Sequence, residues 1–491
     1  MKRKNKFILI LLIVFVCTSC GTDQETEEVP TIRVMAWAAG HTNENKDLDL
    51  VNEKLGDLTQ RKIGCRLELM YPSNTMDYRL ILGEKDKMEN QADIVGMYDE
   101  TYKQYMQEGY LMKLDSYLEK YGEGILKTLG CEAEDLFMEG YQGEEGIYGI
   151  PKAMPEIHIR GVVVSTELLE KYQFSLDEVR ELKDMEPFLE KIAQNENISP
   201  IVPTAMQGGF EINAEFDIID SAGAVVLRNT DNPTIENFFE TPEFEEYILM
   251  MNRWRDKGIL KVQIGREDEL GLNLVVAGKA AVSEIPVRPD EVEEWLGIYG
   301  DQITIQAYDM EPFVTTRDKW RYNWCVSSNC QYPNLAIQVL ELMYTDPEVN
   351  NLMLYGVKDV HYVVDKNGFF SYPEGINSEN VGYFTNEKWQ FNRTIGGLWE
   401  GMSANQRQEM KNFNDSAVYS PLYGFILDEE PIKEELNEIK RILYEEYGML
   451  YVGFGEGEKT LREFQKKIRE AGIEKIKDEV ERQLEQWKGK L

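Results

Sequence analysis

Hydrophobic positions along this chain switch between two periods. Thr31–Trp37 (TIRVMAW) is a short apolar run that reads as a strand and leads into the small, polar loop Ala38–Asn45. Asp47–Lys62 then sets Leu48, Val51, Leu55 and Leu58 three and four residues apart, which predicts one face of a helix. Cys65–Tyr71 alternates as a strand, Asp93–Tyr98 is another, and Tyr102–Tyr121 is patterned as an amphipathic helix. Strands alternating with helices predict a parallel, doubly wound α/β sheet. Ligands of such sheets bind at the loops beyond the strand C-termini, and here those loops begin at two aromatics, Trp37 and Tyr98.

Farther along, Gly146–Ala153 is an extended stretch pinned by Pro151, followed by a strand over Ile157–Ser165 and a helix over Thr166–Lys171. Residues 181–199 and 233–257 are predicted helical, the latter with Thr241 as N-cap and Pro242 at the first helical position. Val275–Ile285 and Ile303–Tyr308 read as strands, 333–345 and 347–355 as a helix pair, and the chain beyond 427 as mainly helical. No repeat and no Gly/Ser linker divides the body, so two lobes would be joined by crossing segments.

The N-terminus changes the picture. Lys2, Arg3, Lys4 and Lys6 precede the apolar run Phe7–Val16. That run falls short of the roughly 20 residues a bilayer span needs, but suits a secretory signal. Thr18, Ser19, Cys20 and Gly21 follow it in the manner of a lipobox, which makes Cys20 the expected lipid-attachment residue. Residues 20–30 are then the anchor and an acidic, flexible tether.

The formal charge is −35, and losing the four cations of residues 1–19 takes it to −39. A field of that sign repels phosphate backbones and anionic lipid, so no nucleic acid is expected as partner and membrane contact is expected through the lipid anchor only. The roughly 460 residues after the tether exceed one hydrophobic core. Beyond the signal the cysteines are Cys65, Cys131, Cys325 and Cys330, none in a CxxC pair, with two buried thiols expected at 325 and 330. With only His41, His158 and His361 as histidines, no metal site is expected, and no cofactor motif appears. Asp365–Gly368 (DKNG) reads as a turn.

Several segments together resemble the family-1 extracellular solute-binding proteins, the lipoprotein receptors of ABC importers, and in particular their large Gram-positive oligosaccharide-type branch. They are the Cys20 lipobox, Asn45–Leu55 after a Trp-ended strand, Tyr148–Pro151 (YGIP), Ala277–Val282 (AGKAAV, with Val282 where Met is usual) and Asn334–Val349. Tyr355–Tyr362, Ser420–Glu430 and the terminal Gln483–Trp487 complete the set. The resemblance implies a type II periplasmic-binding-protein fold, two α/β lobes with a hinge and an interlobe ligand cleft. Carried over, residues 1–19 are the signal peptide, 31–150 plus 305–362 lobe one, and 153–300 plus 366–491 lobe two. It also implies ABC permease subunits as partners and a place on the extracellular face of the cell membrane; a monomer is expected because the sequence shows no heptad seam or symmetric patch.

A sugar receptor needs aromatic planes for C–H faces and polar groups for hydroxyls. The candidate ligand-binding residues are Trp37, Tyr98, Trp324, Trp389 and Trp399, with Asp99, Glu100, Asn323 and Arg393 as polar partners. No catalytic residue is assigned, since GxSxG, HExxH, GxxxxGK[ST] and GxGxxG patterns are all missing. A glycosidase needs only two placed carboxylates, so a surface-anchored carbohydrate-active enzyme stays open at this stage, as does a ligand receptor for a sensor kinase.

Overall fold

A computed structural model describes residues 29–488, apart from 38–44, 72–91, 140–142, 154–156, 203–215, 229–232, 262–270, 320, 378–379, 384 and 386–387. The signal segment and Cys20 lie outside the described residues.

The apolar periods fold largely as they read. The helix Leu48–Ile63 buries Val51, Leu55 and Leu58 and ends at Gly64, whose left-handed backbone (φ 76°) lets its N–H close on the Gln60 carbonyl. The turn delivers Arg66–Met70 as a strand parallel to Thr31–Met35, and Ile94–Tyr98 joins the other side in the same sense. The returning strand Tyr322–Val326 is antiparallel to Ile94–Tyr98, and Ile150–Pro151 closes the sheet. Gly96 lies opposite Trp324 in this register, and a Cβ there would fall 1.7 Å from the Tyr322 hydroxyl. Only glycine lets that ring cross the strand.

The second sheet runs Ile303–Ala307, Ile159–Ser165, Ala280–Val287, Ser199–Val202; its first two pairings are antiparallel and its last parallel. Each sheet has its own core. One cluster gathers residues from Ile32 to Ala153 and from Tyr322 to Leu354; a second gathers residues between Val162 and Tyr308 and from Leu422 to Leu484, and a smaller third, with Val163, Val202 and Ile285, lies on the other face of the second sheet. Tyr383 and Phe391 pack into the first cluster, although the expected division gives 366–491 to lobe two. The chain thus forms two α/β lobes, with the C-terminal helices laid against the second.

The chain passes between the lobes after Pro151, before Tyr322 and between Trp399 and Leu422. The latter two passages meet in a short parallel ribbon, Phe313–Val314 against Val418–Tyr419. Beside it the buried carboxylate of Asp217, from the second lobe, accepts the Thr316 N–H (3.0 Å) and its hydroxyl (2.5 Å).

Four expectations on secondary structure change. The predicted helix 102–121 is two helices, Asp99–Gln107 and Asp115–Tyr121, parted near Gly109, which takes φ 82°. Residues 181–199 hold a 3-10 turn and the helix Glu186–Asn195, after which Ser199–Val202 joins the sheet. The stretch 233–257 begins as the strand Thr234–Asn237 before the helix Pro242–Asp256. Val275 and Val276 end a helix, and the strand starts at Ala280, past the turn at Gly278. In each case pairing with a distant strand or a glycine turn overrides the local pattern.

Candidate functional site: an aromatic platform between the lobes

Trp37 follows the first strand and Tyr98 ends the third, so parallel strands deliver both to one edge of the first sheet. There they meet Trp389 from the single-turn 3-10 segment Lys388–Gln390. The Trp37 ring stands edge-on to Tyr98 at 5.8 Å and 6.2 Å from Trp389, while Tyr98 and Trp389 are 5.8 Å apart. All three residues are half-buried.

The platform rests on residues that composition and periodicity did not single out. Tyr322, fully buried, packs edge-on beneath Trp389 at 4.8 Å and against Tyr98 at 5.4 Å. Gln390 is 1% exposed and ties the group together. Its amide oxygen accepts the Trp37 N–H (2.7 Å) and the Tyr322 hydroxyl (2.5 Å), and its amide nitrogen donates to the Trp37 carbonyl (2.8 Å). The ammonium of the buried Lys152 lies 4.8 Å from the Trp389 ring centroid, a cation–π contact. A glutamine 353 residues away from its partner leaves no local signal in a sequence.

The other candidates lie elsewhere. Trp324 is 1% exposed, in a strand covered on both sides, its indole N–H given to the Gln390 carbonyl (3.3 Å) and its ring stacked 5.9 Å from Phe391. It belongs to the core and in this conformation has no face for a ligand. Trp399 sits in a separate aromatic group with Tyr355 (5.6 Å) and Tyr372 (4.8 Å). Asn323 is buried. Nothing is described of the side chains of Asp99 and Glu100 beyond their helix.

Arg393 is drawn into an interlobe seam. It pairs with Asp290 and, at 3.6 Å, with Glu291, both on the second-lobe helix Pro289–Tyr299. Burial works to raise the Asp290 carboxyl, but the Arg393 and Arg288 charges outweigh it and hold the group below its ordinary value. Lys388 pairs with Glu294 (3.1 Å) on the same helix, and the Ser403 N–H donates to Glu293 (2.8 Å).

Among the described residues no group of three or more His, Cys, Asp or Glu side chains is placed to hold a metal ion. The described cysteines are free thiols, those at 325 and 330 buried. Asp365 accepts the N–H groups of Asn367 and Phe369, each at 2.8 Å, in the turn its sequence predicts. Among the described residues no helix is long and apolar enough to cross a membrane.

Residues 421–489 match the model of a domain of unknown function, DUF3502. Across 471 residues the chain is 21% identical to a carbohydrate ABC transporter substrate-binding protein of Streptococcus pneumoniae, covering 94% of this chain and 92% of that one. Among solved structures it is similar to the N-glycan transport solute binding protein (NgtS) of Streptococcus pneumoniae, with TM-score 0.78, 19% identity and 93% and 98% of the two chains covered. The complex of that protein with Man1GlcNAc gives TM-score 0.73, also at 19% identity, over 92% of this chain and 98% of that one. The alginate-binding protein AlgQ2 gives 0.60 at 14% identity, over 92% and 97%. Over nearly its whole length, then, this chain has the two-lobed fold of the transport solute-binding proteins.

Proposed function

We propose that this chain is the lipid-anchored extracellular receptor of an ABC importer, binding an oligosaccharide between its lobes and presenting it to the permease subunits. The observation that carries the reading is the platform of Trp37, Tyr98 and Trp389, three half-buried rings held at the interlobe edge of a solute-binding fold. Partly exposed aromatic planes offer apolar faces to sugar rings at low entropic cost. The relatives support a sugar: one is a carbohydrate transporter's binding protein, and another is solved with Man1GlcNAc and with Man5GlcNAc.

Binding is reversible and leaves the solute unaltered. A solute touching both lobes favours their closed arrangement, and the closed form is what the permease reads. The receptor works as a monomer, tethered through Cys20.

A thermal-shift screen of the chain against mannose–N-acetylglucosamine oligosaccharides, other glycans, peptides and polyamines tests the reading. A selective, saturable rise in melting temperature with an oligosaccharide recovered unchanged is the expected result. A consumed sugar would point to an enzyme, and selective binding of a peptide or polyamine would replace the carbohydrate assignment.

A further inference from the structure

The second-lobe helix Pro289–Tyr299 opens with four carboxylates, Asp290, Glu291, Glu293 and Glu294. Facing them is the chain from Lys388 to Ser403. Arg393 pairs with Asp290 and, at 3.6 Å, with Glu291; Lys388 pairs with Glu294 (3.1 Å), and Glu293 accepts the Ser403 N–H (2.8 Å). Each carboxylate of the run thus has a partner on this one segment.

The two sides of the seam belong to different lobes. The helix follows the strand Ala280–Val287 and rests Val292, Trp295 and Tyr299 on the third core cluster, at the second sheet. The facing segment is fastened to the first lobe. Gln390 binds Trp37 and Tyr322, Phe391 lies in the first core, the Asn392 amide donates to the Tyr344 carbonyl (2.7 Å), and the Gly397 N–H donates to Asn351 (2.8 Å). These contacts therefore exist only while the lobes stand together.

Parting the lobes would leave like charges three and four residues apart on one helix, where they repel, and the positive end of the helix dipole offsets only part of that. Asp290 would keep Arg288 of its own lobe (3.2 Å), so the loss falls on Glu291, Glu293 and Glu294. In the joined arrangement the first-lobe cations cancel the repulsion, and the side chains of Asp290, Lys388 and Arg393 are largely buried, where salt screens them little. The electrostatic difference between the two arrangements thus favours the closed one. Lys388 directly precedes Trp389 and Gln390, so these contacts grip the same turn of chain that carries the platform.

We propose that the helix Pro289–Tyr299 is a closure latch, whose acids hold the platform-bearing segment of the first lobe and so set solute affinity without touching the solute. The inference rests on the receptor reading above, which gives closure its purpose. A solute that prefers the closed arrangement has its affinity scaled by the fraction of receptor already in it.

The experiment uses the full chain in detergent, with spin labels at the exposed Tyr332 of the first lobe and the exposed Tyr444 of the second. Distances are measured without solute in wild type, Glu294→Lys, Lys388→Glu and the double reversal. Glu294→Gln, which removes the pair without adding a repulsion, is the milder variant and should show a smaller change in the same direction. The expected result is a wild-type population at the separation of this structure, cut at least fivefold by either reversal and restored when the two are combined. A mannose–N-acetylglucosamine oligosaccharide should bind Glu294→Lys at least fivefold more weakly and regain its affinity in the double reversal. Distances indifferent to both reversals, or a loss that the double reversal does not repair, would overturn the latch, as would a wild type without that population. Weaker glycan binding with unchanged distances would overturn it too, making Glu294 a solute contact. Distances that respond as expected while no form binds glycan would strike the receptor reading and leave the latch standing.

Discussion

The side-chain amide of Gln390 pairs with both main-chain groups of Trp37, its oxygen accepting the N–H at 2.7 Å and its nitrogen donating to the carbonyl at 2.8 Å. It acts on Trp37 as a neighbouring strand would, fixing where the indole stands. Replacing it by leucine keeps the volume but leaves those groups and the Tyr322 hydroxyl unpaired, and each such loss costs about 1–3 kcal/mol. Gln390→Leu is therefore expected to lower the melting temperature and to weaken solute binding together. Unchanged affinity in the folded variant would show that the platform holds its geometry without this residue.

Trp37 and Trp324 separate two roles by burial. Trp37→Ala should weaken solute affinity at least tenfold with a small change in melting temperature, because the ring is half-buried and its main-chain bonds survive. Trp324→Ala empties a core position, at about 3–5 kcal/mol by the usual cost of deleting a large buried ring. Measuring affinity and chemical denaturation on both variants checks the contrast, and the reverse pattern would exchange their roles.

Acid should loosen the joint between two second-lobe helices. Arg253 donates to Glu186 through two hydrogen bonds (3.0 and 2.8 Å) and Lys257 adds a third (2.6 Å). The Arg253 contact, against a smaller opposing effect of burial, holds the Glu186 carboxyl down to about 2, where 4.5 is ordinary. The folded value lies below the unfolded one, so this contribution is whole above about pH 4.5 and is lost as pH falls toward 2. Glu186→Gln should flatten the stability curve of the chain across that window, and an unaltered acid limb would remove Glu186 from it.

Cys20→Ser is expected to release the protein from the membrane fraction into the medium. Retention of the variant at the membrane would show that something other than a lipid on Cys20 anchors it.

Much of the fold was legible because its elements are set by local periods. The helix pair Pro333–Thr345 and Pro347–Tyr355 appears at its expected bounds, fixed by Pro at each start and by Asp346, whose side chain accepts the Glu348 and Val349 N–H groups. Thr241 caps Pro242–Asp256 as its sequence implies. Ser199–Val202 and Thr234–Asn237 were hidden, since four residues carry too little pattern and their strand character comes from partners such as Val282 opposite Ile201 and Val225 opposite Asn237. At the site, strand ends pointed to Trp37 and Tyr98. Trp324 rested on the family resemblance, which sets its strand in lobe one near the cleft but does not tell a face open to the cleft from a strand enclosed on both sides. Gln390, Lys152 and Lys388 were out of reach, because their partners lie far along the chain; Arg393 was named as a polar partner, but it is spent on Asp290 and Glu291 of the second lobe.

Asp217 holds Thr316 through both its N–H and its hydroxyl, and the ribbon of Phe313–Val314 with Val418–Tyr419 adjoins it. Both returning passages are thereby bolted to the second lobe. The ribbon is then expected to travel with the second lobe in a closing rotation, whose axis is expected on the first-lobe side of Thr316. A pair of spin labels at Val418 and on an exposed second-lobe helix should keep one separation whether solute is present or absent. Moving one label across that axis, to Tyr332 on the first lobe, should make the same solute visible as a change in distance.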